Sequence, residues 1–514
     1  LDAGKWDNIQ ECKKSEERVV RSAEGDNMRS LEFAQTLPPY SRRQSQLVKS
    51  VIVAGWIGVG SVGIVTQSHA QGTYSQLLPP SREEIADEER LSWTLKKFPS
   101  QPYMSEFYWR EPSDTPAFFR ESLLQIVART YYLTRDNFDG SRSQAWAGGG
   151  WVAWRSGLIG DLLGMHAAYY TSQPLFAPAD EGGTRLLTPN QDSLGMLGQI
   201  YGRIQIVDQE IRGGRQLVDT PLINPQDNRM VPNTFEGATL VTLPDKDRNY
   251  DYAFGYLWNI KQRDSNDFIP MSDAIVGGDT VNRGTPFGMI KIRPFAGFST
   301  VFMDYYLSDF VNTGFSQAEY VFQLPKDVPN WSTGANIITQ RSVGNELLTG
   351  SSFNTYQASA KVQMTYAGWT LFVAGSITGD ESKIFSPFGT KPNYTDMQQI
   401  SFDNAGEKAF GGSVAYDFGY AFKDAGLTGL SAGAWYTQGW GALDPVTNFA
   451  IPDRSELDLW IQYRPSEGPL KGLRVKTQYA NVWQDGNVRS TQPEFRFIVD
   501  YTVLFRPPIE NLAK

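Results

Sequence analysis

The sequence runs to 514 residues with a formal net charge of −9 and a pI near 5.1. It lacks the basic surplus that displaces counterions from phosphates, which excludes nucleic acid as a partner. One cysteine, Cys12, excludes an intrachain disulfide or thiolate cluster, and two histidines, His69 and His166, leave little for acid–base chemistry near neutral pH, so no metal and no cofactor are expected.

In chain order, residues 1–27 lie upstream of the first export signal and read as a leader from a start site assigned too early. Residues 28–70 read as a signal peptide. Arg42, Arg43 and Lys49 form its positive region, Val51 to Val65 its apolar region, and Ser68-His69-Ala70 a small-x-small cleavage site. Cleavage is expected between Ala70 and Gln71. Gly58, Gly60 and Gly63 spell G-x-G-x-x-G inside this stretch, but no strand–helix–strand unit surrounds them. The Arg42-Arg43 pair would suit twin-arginine export of a folded cargo; the strand-rich chain that follows looks instead like one delivered unfolded. Residues 71–116 form an N-terminal periplasmic extension or plug-like segment, with a helix expected over Ser81 to Lys97 after Pro80.

From residue 117 the period becomes two. Tyr356, Ala358, Ala360, Val362, Met364 and Tyr366 alternate with Gln357, Ser359, Lys361, Gln363 and Thr365. Phe495, Phe497, Val499, Tyr501, Val503 and Phe505 alternate with Arg496, Ile498, Asp500, Thr502 and Leu504. Leu194, Met196, Ile200 and Ile204 are assigned to one face, with Gln199, Tyr201, Arg203 and Gln205 on the other. Such alternation fits a soluble sandwich with apolar faces inward or a transmembrane barrel with apolar faces toward lipid. An export signal with no apolar run of about 20 residues behind it means that membrane insertion would have to be by barrel. The 29 Phe, 24 Tyr and 14 Trp include ring pairs such as Tyr131-Tyr132, Tyr169-Tyr170 and Tyr305-Tyr306, assigned here to interface girdles.

Between turn signals the segments centre near Leu124, Val152, Met165, Met196, Ile211, Ala238, Phe254, Ile290, Phe302, Tyr320, Ala335, Val362, Phe372, Val414, Ala432, Leu459, Val475 and Val499. The reading is an all-β, transmembrane antiparallel β-barrel of about 18 strands over 117–505, with a tail at 506–514. Tight turns such as Ala367-Gly368 alternate with long segments such as Asp264 to Gly284 and Gly379 to Lys408. A barrel this wide encloses an aqueous channel. One long segment, Asp219 to Phe235, is rich in Pro, Asn and Asp around a single arginine, Arg229, and is read as an inward-folded constriction loop that presents a fixed cation to the permeant.

The stretches AFFRESLLQIVARTYYLTRDNF, AWAGGGWVAWRSG, GGTRLLTP and GGRQLVDTPLINPQDNRMVPNTFEG, with LRVKTQYANVWQDGN and FRFIVDYTVLF near the C-terminus, resemble the OprD-type outer-membrane porins, the outer-membrane carboxylate channels. The likeness spans roughly residues 117 to 505 and is most specific around Asn224, Asp227, Arg229, Pro232, Phe235 and Gly237. It implies an 18-stranded barrel that admits small carboxylates and some basic amino acids along a lumenal ladder of Arg and Lys. By this resemblance Arg229, Asp227 and Asn224 form the constriction and anion-binding site, and Arg129 is the ladder's first-strand arginine. Alternation alone adds Lys291, Arg293, Arg474 and Lys476, as pairs two apart on polar faces.

The partners expected are small anionic solutes, outer-membrane lipids and lipopolysaccharide, and the barrel-assembly machinery; weak self-association as a homo-oligomer is left open. A channel for aromatic or hydrophobic acids is the main rival reading. A barrel hydrolase would need a Ser–His pairing, and His166, the only histidine after Ala70, has Gly164, Met165 and Ala167 as neighbours. A soluble sugar-binding sandwich is the third; a carbonate wash would release it and leave a barrel in the membrane.

Overall fold

The computed structural model describes residues 104–108, 114–243, 248–276, 281–325, 327–422 and 428–507. The expected leader, signal peptide with its cleavage site, and helix at Ser81 to Lys97 lie outside the described residues, as do residues 508–514 of the tail.

After a short strand β1 (Ser105–Tyr108), the wall runs β2 (Leu123–Asp136), β3 (Arg142–Arg155), β4 (Leu163–Phe176), β5 (Leu194–Ile206), β6 (Gln209–Gln216), β7 (Thr234–Thr242) and β8 (Tyr250–Lys261). Beyond the two-residue β9 (Ile269–Pro270) it continues as β10 (Thr285–Ile292), β11 (Phe298–Leu307), β12 (Val311–Val321), β13 (Asn330–Ser342), β14 (Asn354–Tyr366) and β15 (Trp369–Thr378). β16 (Lys408–Asp417), β17 (Leu430–Trp440), β18 (Arg454–Tyr463), β19 (Leu473–Gln484) and β20 (Thr491–Arg506) complete it. Successive wall strands pair antiparallel, and β20 returns to β2 with Phe505 opposite Leu124 and Glu494 opposite Arg135. Setting aside β1 and β9, eighteen strands close into a barrel, and every expected strand centre falls inside one of them.

Burial decides between sandwich and barrel. On β20 the buried residues are Glu494, Arg496, Ile498, Asp500, Thr502 and Leu504, four of them polar, while Phe495 faces out; on β14 Gln357, Ser359 and Lys361 are buried while Tyr356 and Val362 are exposed. A soluble protein would show the reverse. Polar side chains therefore line a lumen and apolar ones face lipid.

Alternation misassigns β5. Ala168 pairs with Gln199 and Tyr169 with Leu197, so Gly198 is an extra residue, and this bulge switches which parity faces inward. Leu194 and Met196 therefore face the lumen with Gln199, Tyr201 and Arg203, while Ile200 and Ile204 face lipid. The ring pairs are also split. Adjacent residues of a strand point to opposite faces, so Tyr131, Tyr170 and Tyr305 are buried in the lumen while Tyr169 and Tyr306 face outward. A girdle forms elsewhere, along the rim where β2 begins and β20 ends. There Trp369 meets Tyr416 at 4.6 Å, Tyr320 meets Phe322 at 4.9 Å and Phe295 meets Phe298 at 5.1 Å.

That rim carries the tight turns. Ala367 and Gly368 both have positive φ (50° and 83°), which suits a two-residue hairpin turn. The opposite rim carries the long loops 177–193, 217–233, 262–284 and 379–407. Of the N-terminal extension, β1 runs parallel to Val503–Arg506, past the end of β19, with the Phe107 and Phe505 rings stacked at 5.3 Å.

Candidate pore constriction

The register of β19, β20 and β2 stacks lumenal side chains in tiers. Arg474, Asp500 and Arg129 lie side by side; then come Lys476, Ile498 and Tyr131; then Gln478, Arg496 and Leu133; then Ala480, Glu494 and Arg135. From the first tier to the fourth is about 20 Å along a strand. Cations thus recur up one face of the lumen with carboxylates set among them.

The 217–233 loop, between β6 and β7, folds against this face. Arg129 fastens it. Its Nε donates to Asp500 (2.6 Å) and its Nη1 to Asp227 (2.8 Å) and to the Arg229 carbonyl (2.6 Å). Arg474 also pairs with Asp500, so that buried carboxylate lies between two guanidinium groups. On the loop itself Arg229 donates to the carbonyls of Thr184 (2.9 Å) and Asn228 (2.8 Å) and is only 7% exposed. Its own bonds go to neutral carbonyls, so its charge is not cancelled by a bound carboxylate. Burial, then repulsion from Arg496, pushes its pKa down to about 10, which leaves it charged at neutral pH. Arg263, at the base of the 262–284 loop, donates to the Asn228 side chain; burial and then Arg229 and Arg185 hold it well below the usual arginine range.

Asn224 has a different role from its loop neighbours. Its Oδ1 accepts from the Thr390 amide (3.0 Å) and its Nδ2 donates to the Thr390 carbonyl (2.7 Å), tying the 217–233 loop to the 379–407 loop. Lys291 and Arg293 lie away from the tiers, on the β8–β10 side, where Lys291 is opposite Asp251 and Arg293 is ion-paired with it. The eight residues singled out from sequence thus divide. Arg129, Asp227, Arg229, Arg474 and Lys476 gather on one face, Asn224 joins two loops, and Lys291 and Arg293 stand apart.

The 379–407 loop, between β15 and β16, crosses the lumen to the same face. At its tip the backbone amides of Gln399 and Ile400 donate to Glu456 (2.8 and 2.9 Å) and that of Gln398 to Asp458 (3.1 Å). The Gln398 side chain donates to Glu494 (3.0 Å) and accepts from Gln478 (2.8 Å), and its carbonyl accepts from Arg496 (3.2 Å). Arg496, Arg135, Arg263 and the lumenal carboxylates were not chosen from sequence. For Arg496 and Asp500 a signal existed, since both stand on the polar face of FRFIVDYTVLF.

A closed barrel of eighteen strands whose long loops fold inward is a transmembrane pore with a constriction. The chain belongs to the OprD family of outer-membrane porins, whose family model matches residues 116–505. It is therefore an outer-membrane channel and not an enzyme. A porin-like protein of Pseudomonas putida, GalP, is 24% identical over 412 residues, covering 75% of this chain and 92% of GalP. Pseudomonas aeruginosa OpdK, crystallised with vanillate, superposes with a TM-score of 0.64 at 19% identity, covering 75% of this chain and all of OpdK. A BenF-like porin from Pseudomonas fluorescens Pf-5 gives 0.65 at 18% identity, with 75% of this chain and 100% of that one covered.

Proposed function

We propose that the pore admits small carboxylates and related polar nutrients passively, along the β19–β20–β2 face and past Arg229. The observation that carries this reading is the setting of Arg229, a buried guanidinium bonded to carbonyls, with Arg263 bonded to the adjacent Asn228 and with Arg496 and Arg135, both paired with Glu494, nearby. A carboxylate entering there loses part of its hydration, and a planar guanidinium replaces those contacts with charge-assisted hydrogen bonds. Lys476 and the Arg474–Asp500–Arg129 row lie further along the same face. Asp500 weakens Arg129 and Arg474 as traps, which suits passage over retention.

A second reading, aromatic acids, is favoured by a small nook beside the base of the 217–233 loop. It sets Arg212, which is paired with Glu210 (2.7 Å), and Asp219, Gln216 and Thr239 against an apolar wall of Leu217, Val218, Val241, Ala253 and Phe287. Vanillate, the aromatic acid named with the OpdK crystal structure, points the same way for that protein.

Planar-bilayer recording of the refolded protein tests both. Under a salt gradient the wild type is expected to show an anion-selective reversal potential and block by carboxylates; Arg229→Ala loses most of both, and Arg229→Lys recovers the charge preference better than the carboxylate block. Stronger block by benzoate than by acetate favours the aromatic reading. Wild-type reversal potential and block in Arg229→Ala would place the selective point elsewhere.

A further inference from the structure

We propose that the 379–407 loop is a gate, and that Glu456 and Asp458 of β18 are its latch. The loop leaves the wall at β15 and returns at β16, yet its tip docks on β18, β19 and β20. Gln398 and Gln399 hold that position entirely through hydrogen bonds. Besides those to Glu456, Asp458, Gln478, Glu494 and Arg496, the Gln399 amide donates to the Gln492 carbonyl (2.9 Å) and accepts from the Gln492 amide (3.1 Å). Ile400 adds a half-buried contact to the Met397–Phe402–Ala409 cluster, and Arg454 donates to the Ser401 carbonyl (2.6 Å). The bonds of Gln398 and Gln399 exchange for water at little net cost, so these two residues can dock and undock.

The remainder of the loop is built to move as a unit or stay put. Lys391 bridges Asp396 (3.0 Å) and Asp403 (2.9 Å), which clamps the two arms together just behind the tip. At the base Arg454 pairs with Glu407 (2.7 Å), and on either side of the tip Tyr394, Met397 and Phe402 pack against the β15–β17 wall. Movement is therefore confined to the end that rests on the Arg496 tier. Docked, the Gln398 carbonyl occupies Arg496 and narrows the lumen; undocked, it widens the passage and frees that guanidinium.

The carboxylates fit the latch role by position. Glu456 and Asp458 are two apart on one strand, both turned inward and buried, and they receive three consecutive backbone amides of the tip. An amide hydrogen bond to a carboxylate is roughly twice as strong as one to a neutral oxygen. Replacing both carboxylates with amides keeps shape and removes that strength.

Single-channel recording of the refolded full chain, with Cys12→Ser as background, tests the gate. The wild type is expected to switch between two conductance levels, and Glu456→Gln with Asp458→Asn to raise the occupancy of the larger level roughly tenfold. Gln399→Cys with Gln492→Cys, bridged by a short bis-methanethiosulfonate, should hold the smaller level until dithiothreitol restores switching. Bridging that leaves the larger level accessible, or carboxamide variants with wild-type occupancy, overturns the proposal. If the latch variants do not fold, the bridged and reduced forms of one protein still decide it. Switching is read in conductance and not in ion sign, so an unselective channel that gates would sink the carboxylate reading and leave the gate standing.

Discussion

The 217–233 loop and the tip of the 379–407 loop are fixed by different forces. In the 217–233 loop Leu222 and Ile223 are buried in one apolar cluster with Phe235 and with Phe388 of the other loop, and Met230 and Val231 in another with Trp151, Tyr170, Leu186 and Leu187. Each such side chain contributes about 1.5–3 kcal/mol by leaving water. At the tip of the 379–407 loop, Gln398 and Gln399 touch the wall through polar bonds whose net worth is about 0.5–1.5 kcal/mol each, more where the partner is charged. The first loop is part of the wall; the tip of the second is placed on it. A pore that selects needs a constriction held at fixed depth, and a pore that regulates flow needs one that yields. Under the two proposals above, these demands fall on separate segments.

The largest effect should come from Arg129, where the fixed loop meets the wall. Arg129→Met leaves the buried Asp500 with Arg474 and strips Asp227 and the Arg229 carbonyl of their donor. Breaking a buried pair from one side costs about 3–5 kcal/mol. The heat-modifiable gel band should convert at a clearly lower temperature than in the wild type. An unchanged conversion temperature would mean that the apolar clusters alone fix this loop.

Asn224→Ala should cost less, about 1–3 kcal/mol, since it unpairs the Thr390 amide and carbonyl without opening an apolar cluster. Gly389 sits here at φ +147°, and a Cβ on it would come within 2.3 Å of Asn224 Oδ1, so the close approach of the two loops is built into the backbone. Limited proteolysis should speed up in the 379–407 loop while 217–233 stays protected. Equal sensitivity of both would make them one unit and erase the contrast.

How far the sequence announces this architecture follows the range of the forces involved. Alternation is local, so each strand centre could be read, from Leu124 to Val499. The bulge at Gly198 could not, because one extra residue shows only against its partner strand. Arg229 and Asp227 were legible through a loop motif. Their fixing by Arg129 and Asp500 was not, because contacts closing the barrel join residues hundreds of positions apart. The carboxylates on the same inward faces were not legible as a set: Asp500 and Glu494 pair with the arginines of the tiers, while Glu456 and Asp458 accept the amides of the 379–407 tip. The 379–407 loop gave no local sign of its docking, since Gln398 and Gln399 look like ordinary loop polars until the register of β18–β20 brings their partners under them.

The smallest effect, and the finest test of the contrast, belongs to Gln399. Gln399→Ala removes the reciprocal amide contacts with Gln492 but keeps the backbone donation to Glu456. The loss is about 1 kcal/mol of docking, because both freed groups of Gln492 regain water. No apolar surface is uncovered and no buried charge loses its partner, so the gel conversion temperature should match the wild type. The tip should nonetheless undock about fivefold more often, the shift that such a loss implies, and cleavage by a broad-specificity protease near 398–400 should accelerate by a similar factor. Stability and mobility would then separate in one variant. If the conversion temperature falls along with the faster cleavage, the tip is part of the barrel's cooperative unit, and both loops are wall.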